Sequence, residues 1–316
     1  MFSILLPTYK PDFLKECIDS VLAQTYTEFE LIIVNDASPY DIDSIVNQYD
    51  DKRIKYYKNE KNYGAVDMVK NWNHCLEYAT GNYVINMGDD DKLDKDCLED
   101  YASLIKKYPD YDLYHTRMAI INENSEVIEL QESRPEIESV YSMIWHYWKG
   151  RRQVIGDWLF KTKTLRENKG FYDLPCAWAS DDLSAFTAAK NTGVINSEKI
   201  GFYYRQTNKT VSSKNSFAPQ KVEALYMAGL WYKEFLKAEP NDEIDKFYRN
   251  SLRKNLNNKV SSWILYEIKG ALDSDAFAVF YWIRKCNNYK ISRFTIIHTQ
   301  IIIIKDKILG FFRSLR

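Results

Sequence analysis

Apolar segments in residues 1–120 alternate between strand and helix periodicity, and this alternation restricts the fold more than any other feature of the chain. Ser3 to Pro7 reads as a strand, and Phe13, Leu14, Cys17, Ile18, Val21 and Leu22 then recur at helical spacing. Leu31 to Val34 is a continuous apolar run between turn residues, as expected of a strand buried on both faces. Ile42 to Tyr49 predicts a short helix and Ile54 to Tyr57 a short strand. Val66, Val69, Trp72, Leu76 and Ala79 form another helical stripe, followed by a strand over Tyr83 to Met87. The series predicts an α/β fold with a mostly parallel sheet and helices on both faces. Ligands of such sheets bind beyond the carboxyl ends of the strands. Three loops therefore share one crevice: those after Pro7, after Val34 and after Met87.

The remainder is less regular. Leu113 to Ile121 predicts a strand that ends in a turn at Asn122-Glu123-Asn124. Gln131 to Ser139 reads as a loop, with Trp145, Tyr147, Trp148 and Trp158 nearby. Beyond 215 the pattern is helical, interrupted at Glu239-Pro240-Asn241-Asp242. The expected division is a catalytic domain over 1–213, with halves 1–110 and 111–213, and a helical C-terminal region over 214–316. The net charge of -1 indicates no nucleic-acid partner. The 24 Tyr, 15 Phe and 8 Trp can stack on sugars and bases or fill a core. Five cysteines lie singly, without a CxxC pair, which fits a reducing cytosol. The start of the chain has neither a basic leader nor a cleavage site, and no run of apolar residues is long enough to span a bilayer.

The C-terminus has its own character. Ile297, Ile301, Ile304, Ile308, Phe311 and Leu315 share a helical stripe. From Arg284 onward, eight basic residues face the single acid Asp306. A basic apolar helix over 294–316 suits a membrane interface, so the expected location is the cytoplasm, peripheral to the inner face of the membrane. Docking on the chain's own domain, or on the partner of a homodimer, is the alternative.

The run Gly88-Asp89-Asp90-Asp91 follows a predicted strand. Carboxylates crowded at a strand end repel one another and raise one another's pKa. A hard divalent cation relieves the repulsion and leaves positions open for phosphate oxygens. The plainer reading is an acidic turn capping a helix that starts near Asp94.

Taken with the triplet, Leu6-Pro7-Thr8-Tyr9, Ile33-Val34-Asn35-Asp36-Ala37-Ser38, Asn62-Tyr63-Gly64, Asn71-Trp72-Asn73 and Ala79-Thr80-Gly81-Asn82-Tyr83 resemble, in order and spacing, the nucleotide-sugar-binding half of family 2 glycosyltransferases of the GT-A fold. The resemblance is strong over about residues 2–125 and continues weakly to about 213. It implies that Pro7, Thr8 and Tyr9 contact the nucleotide base and that Asp36 accepts a hydrogen bond from it. Asn62 and Gly64 would lead into a helix beside the diphosphate, with Lys70 and Asn73 as further nucleotide-binding candidates. Asp91 would bind Mn²⁺ or Mg²⁺, supported by Asp89, with Asp90 near sugar or ribose hydroxyls.

Further on, Ala177-Trp178-Ala179-Ser180-Asp181-Asp182-Leu183 resembles the family's acidic pair before a helix. Asp181 and Asp182 are both candidates for the base that deprotonates the acceptor hydroxyl, Asp181 being slightly preferred. Either is alternatively an N-cap of a helix beginning at Leu183. Trp178 is a candidate acceptor contact. Arg205 and the segment Thr210-Val211-Ser212-Ser213 resemble the part that closes over the donor phosphates. Asn35, Gly88 and a long segment between Gly64 and Asn71 depart from the family pattern, and the Gln-x-x-Arg-Trp element of processive synthases is absent.

The resemblance implies an inverting, metal-dependent transfer from a nucleoside diphosphate sugar, with UDP preferred. The acceptor would be a hydroxyl of a growing, lipid-linked bacterial surface glycan, as in capsule or lipopolysaccharide assembly. A nucleotidyltransferase would need a glycine-rich loop after the first strand, where Thr8-Tyr9-Lys10-Pro11-Asp12 has none. A glycan-binding scaffold would have no need of both acidic clusters.

Overall fold

The computed structural model describes residues 1–207 and 217–314, with side chains to 309. The chain divides into two compact units, Met1–Thr210 and Val211–Arg316.

The first unit is built on one mixed sheet. Its strands are β1 (Phe2–Thr8), β2 (Phe29–Asn35), β3 (Ile54–Lys58), β4 (Tyr83–Asn86), β5 (Lys92–Leu93), β6 (Leu113–Ile121), β7 (Val127–Leu130), β8 (Ile137–Glu138), β9 (Trp158–Lys161) and β10 (Val194–Arg205). The order is β3-β2-β1-β4-β9-β6-β10-β5, with β7 beside β6 and β8 beside β10. The four strands from β3 to β4 are parallel, which brings the ends of β1, β2 and β4 to one edge of the sheet. Beyond them β9 runs antiparallel to both β4 and β6, while β10 runs parallel to β6.

Among the described residues, seven α-helices accompany the sheet: α1 (Leu14–Leu22), α2 (Ile42–Val46), α3 (Met68–Glu77), α4 (Cys97–Lys107), α5 (Val140–Trp148), α6 (Thr162–Glu167) and α7 (Ser180–Ala188). The apolar stripe of α1 buries Leu14, Cys17, Ile18 and Val21, in one core with Ile4, Leu6, Leu31, Ile33 and Ile85 of the central strands. Every residue of β2 is buried, which explains its unbroken apolar run.

Some boundaries differ from the expected ones. No helix begins at Asp94. Leu93 and Lys92 instead pair with Phe202 and Tyr203 of β10, and α4 starts at Cys97. The third helix starts at Met68 rather than Val66, because the Val66 carbonyl accepts the Cys176 N–H. The expected 131–139 loop contains the two-residue β8, paired with β10. Helix α7 begins at Ser180, three residues before Leu183, so both Asp181 and Asp182 lie in its first turn.

The second unit contains α8 (Ala218–Phe235), α9 (Glu243–Ser274), α10 (Ala278–Lys285) and α11 (Arg293–Ser314). Gly229 lets α8 approach α9 closely, since a Cβ there would lie 2.9 Å from a Val260 methyl. Asp242 caps α9 by accepting from Ile244 N–H and Asp245 N–H. Arg249 donates to the Leu236 and Lys237 carbonyls just past the end of α8.

Glu30 locks the edge of the parallel sheet remote from the strand-end loops. Its buried carboxylate accepts from Ser3 Oγ, Thr80 N–H and Thr80 Oγ, and pairs with Lys55 Nζ at 2.5 Å. Burial alone would raise its pKa, but Lys55, Ser3 and Thr80 outweigh burial and hold it below the usual 4.5. A depressed carboxylate stabilises the fold above its unfolded pKa and loses that contribution as pH falls through the folded value. Glu30→Gln should therefore cost about 1–3 kcal/mol at pH 7 in urea unfolding. The difference from the wild type should shrink as pH drops below 4.5.

Candidate active site

Two acidic clusters and the loops around them make up the candidate site. The first cluster follows β4. Asp89 directs one oxygen at the loop after β1, accepting from Tyr9 N–H at 2.7 Å, Lys10 N–H at 2.9 Å and Thr8 Oγ at 3.2 Å. This sets the path of Thr8-Tyr9-Lys10 and leaves the Tyr9 ring exposed beside Tyr40, their centroids 6.2 Å apart. Pro7 is the last but one residue of β1, beside Val34.

Asp36 is buried and shapes the next loop. Its carboxylate accepts from Asn59 Nδ2, Asn62 Nδ2, Tyr63 N–H and, at 3.4 Å, Gly64 N–H. Gly64 sits at φ 70°, a backbone conformation suited to glycine. Two of the departures from the family pattern have physical reasons here. Asn35 receives the Ser38 N–H and donates to the Tyr56 hydroxyl, closing the turn after β2. At Gly88 a Cβ would lie 2.9 Å from Asp91 Oδ2 and 3.0 Å from Asp90 Oδ1, so a side chain there would push against both carboxylates.

Arg205 has a different place from the one expected. It is fully buried at the end of β10, and its guanidinium is committed to the protein. It donates to the Asp90 carbonyl at 2.7 Å, the Asn122 carbonyl and Ser125 Oγ at 3.0 Å, and Glu16 Oε2 at 2.7 Å. Its own backbone N–H donates to Asp91 Oδ1 at 2.9 Å, and the Phe13 ring covers the guanidinium at 4.2 Å. The phosphate-contact expectation is therefore replaced by a scaffold role, because a guanidinium spent on these oxygens has little left for a diphosphate.

Two other candidates are spent elsewhere. Lys70 is an exposed residue paired with Asp67 at 2.7 Å. Asn73 clamps the backbone of Phe171, accepting its N–H at 2.7 Å and donating to its carbonyl at 3.1 Å. The Thr210-Val211-Ser212-Ser213 segment lies outside the described residues.

The charge of the Asp triplet is only partly offset by its hydrogen bonds and by Lys10 and Arg205. Burial raises the pKa of all three carboxyls, Asp90 to about 6, and mutual repulsion adds to the rise at Asp90 and Asp91. Among the described residues no group of three or more His, Cys, Asp or Glu forms a ready cage for a metal ion. The oxygen-only donors nevertheless suit a hard cation that takes one or two carboxylates and completes its shell with phosphate oxygens and water.

The second cluster opens α7. Asp182 is buried, and its Oδ1 accepts from Gln153 Nε2 at 2.8 Å. Asp181 is half-buried and accepts the Asp182 N–H at 2.9 Å. Burial raises both carboxyls. Tyr147, Gln153 and Arg134 offset part of the effect at Asp182, which stands at about 6, while repulsion from Asp182 pushes Asp181 higher. The approach to the pair is strained: Cys176, Ala177 and Ala179 all have positive φ, and none is glycine. Trp178, half-buried, sits among them. The Cys176 N–H to Val66 carbonyl bond, 2.9 Å, ties this segment to the loop that holds Gly64.

Gln153, Glu16 and Asn59 were missed in the sequence. Polar residues of common type with no motif around them give no signal until the fold brings their partners close.

The chain is similar to known proteins over this region. It is 26% identical over 213 residues to the poly(ribitol-phosphate) β-N-acetylglucosaminyltransferase TarS of Staphylococcus aureus, covering 66% of this chain and 36% of that protein. The match thus spans little more than a third of that relative's length. The crystal structure of S. aureus TarS 1–349 in complex with UDP-GlcNAc superposes with a TM-score of 0.67 at 18% identity, covering 98% of this chain and 92% of that one. The mannosyltransferase PcManGT of Pyrobaculum calidifontis, in complex with GDP-Man and Mn²⁺, superposes with a TM-score of 0.54 at 13% identity, covering 97% and 87%. These likenesses show the GT-A type of fold. The profile of "Glycosyl transferase family 2" matches residues 3–180, more than half of the chain, and the protein belongs to that family.

Proposed function

We propose that the protein transfers a sugar from a nucleoside diphosphate sugar, of the UDP-N-acetylhexosamine class, to a hydroxyl of a bacterial surface glycan carried on a lipid or polymer. The observation that carries this reading is the Asp90–Asp91 pair at the end of the parallel strand β4, one carboxylate half-buried and one buried, crowded against each other and positioned by Arg205. Support for the donor comes from the UDP-GlcNAc complex of the similar TarS structure. Support for a polymer acceptor comes from the poly(ribitol-phosphate) in that relative's name.

Residues 1–110 form the donor half in this reading and 111–213 the acceptor half. Tyr9 offers its exposed ring to the base, and Asp36 holds the Asn62–Gly64 loop around it. Asp91 would hold a Mn²⁺ or Mg²⁺ ion with Asp89 in support, and Asp90 would face sugar hydroxyls. When bound, the ion supplies Lewis-acid neutralisation of the leaving diphosphate. The Asp181–Asp182 pair takes the proton from the acceptor hydroxyl as that oxygen attacks the anomeric carbon opposite the diphosphate, inverting its configuration. Gln153 orients Asp182 for this step.

Thermal unfolding with UDP, GDP, CDP and dTDP, each with and without Mn²⁺, tests the donor site. UDP at about 100 times its dissociation constant should add about 2.7 kcal/mol in the presence of metal. Asp91→Asn should abolish the metal-dependent part. A shift with GDP alone would reassign the base, and no shift with any nucleotide would remove the reading.

Turnover tests the second cluster. Asn substitution at the base should lower kcat by roughly 10²–10⁴, while an Asn substitution at its neighbour should cost far less. The wild-type rate should fall as pH drops below about 6, where the pair takes up a proton. If both single variants keep more than about a tenth of the activity, the base is elsewhere.

Arg205→Met removes the guanidinium but keeps the backbone bond to Asp91. It should lower stability by about 2–4 kcal/mol, through several lost charge-assisted hydrogen bonds. Metal-dependent nucleotide binding should weaken with it, as read by urea unfolding and calorimetry.

A further inference from the structure

Helix α11 carries two apolar stripes. The inner one is docked: Ile296, Gln300 and Ile303 are buried, α11 packs on α9 and α10, and Lys307 pairs with Asp273 of α9 at 3.1 Å. The outer one is open. Phe294, Ile297, Ile301, Ile304 and Ile308 follow one another at steps of three and four residues, which keeps them on one side of the helix. Each is between 43% and 76% exposed. Ile302 and Leu309 are also exposed, on the flank of the helix that carries Asp306.

The charges around the outer stripe have one sign. Arg293 lies one turn before Ile297, and Lys305 one turn after Ile301, both exposed. Arg284 and Lys285 end α10, and Lys290 stands in the connection to α11. Asp306, the one acid between 284 and 316, is three residues past the docked Ile303, on the side away from the open stripe.

We propose that the outer stripe of α11 is a membrane-interface surface whose partner is a bilayer rich in anionic lipid. The helix lies in the headgroup plane, with its isoleucines in the acyl boundary and Arg293 and Lys305 on lipid phosphates. It lies on the bilayer rather than through it, because among the described residues no helix is long and apolar enough to cross. A second copy of this chain is a poorer occupant. Pairing two such stripes would bring Arg293, His298 and Lys305 against their equals, with no acid beside them to pair. This inference stands apart from the proposed chemistry, since none of the residues of either acidic cluster takes part.

The test is co-sedimentation of the full chain with phosphatidylcholine vesicles, with and without phosphatidylglycerol. Binding is expected only where phosphatidylglycerol is present, and it should weaken as salt rises and screens the basic flanks. Ile297→Glu/Ile301→Glu replaces residues already exposed to water and should keep its circular dichroism and melting temperature. It should bind the anionic vesicles about tenfold more weakly or not at all. Lys305→Glu should show a smaller loss in the same direction. Equal binding to neutral vesicles, no binding to either, or unchanged binding of the double variant would overturn the proposal. A dimeric mass that becomes monomeric in the double variant, without vesicle binding, would assign the stripe to a second copy instead.

Discussion

A single buried guanidinium holds together the end of the first unit that carries the Asp triplet. Arg205 lies at the end of β10, yet its partners come from α1, the Asp triplet loop and the turn after β6. Burying that charge is costly unless the surrounding oxygens satisfy it, so the arrangement forms as a whole or not at all. Glu16 is 189 residues away in sequence, and the Asp90 carbonyl 115. The shape of the triplet therefore depends on β10 being in place beside β6 and β5. The position of Asp91, one bond from the Arg205 backbone, is a property of the completed sheet rather than of the loop that contains it.

The two acidic clusters are places where the fold gives up stability. Each crowds a buried carboxylate against a half-buried one, and their pKa values stand above the ordinary range. The second is approached through three left-handed residues that carry side chains. Strain and desolvated charge persist only where the surroundings over-determine them, and they gather at sites that do chemistry. Around α1 and the parallel strands, by contrast, the interior is one apolar core.

The parallel half was legible because its strands are short apolar runs and its helices carry single stripes, both of which are local signals. Leu113–Ile121 coincides with β6 for the same reason. The motifs from Leu6 to the Asp triplet were legible too, and the family profile, which spans residues 3–180, covers them but ends just before Asp181 and Asp182. Less legible was anything decided by distant partners. Arginine suits phosphate, and only the fold reveals that Arg205 faces carbonyls and Glu16 instead. Asn73 stands in a motif, yet its amide matches the backbone of Phe171, 98 residues later. The helix expected near Asp94 starts at Cys97, and the short β5 just before it was not legible, because only β10 offers Lys92 and Leu93 a strand to pair with, a tertiary preference that local propensity does not contain.

The bond from Cys176 N–H to the Val66 carbonyl joins two segments that lie 110 residues apart in sequence. The loop at one end follows the Asp36 carboxylate, and the segment at the other leads directly into α7. The left-handed residues Cys176, Ala177 and Ala179 leave that segment little slack. A shift of either end is therefore a load on the other, and the surroundings of the two acidic clusters share one piece of backbone.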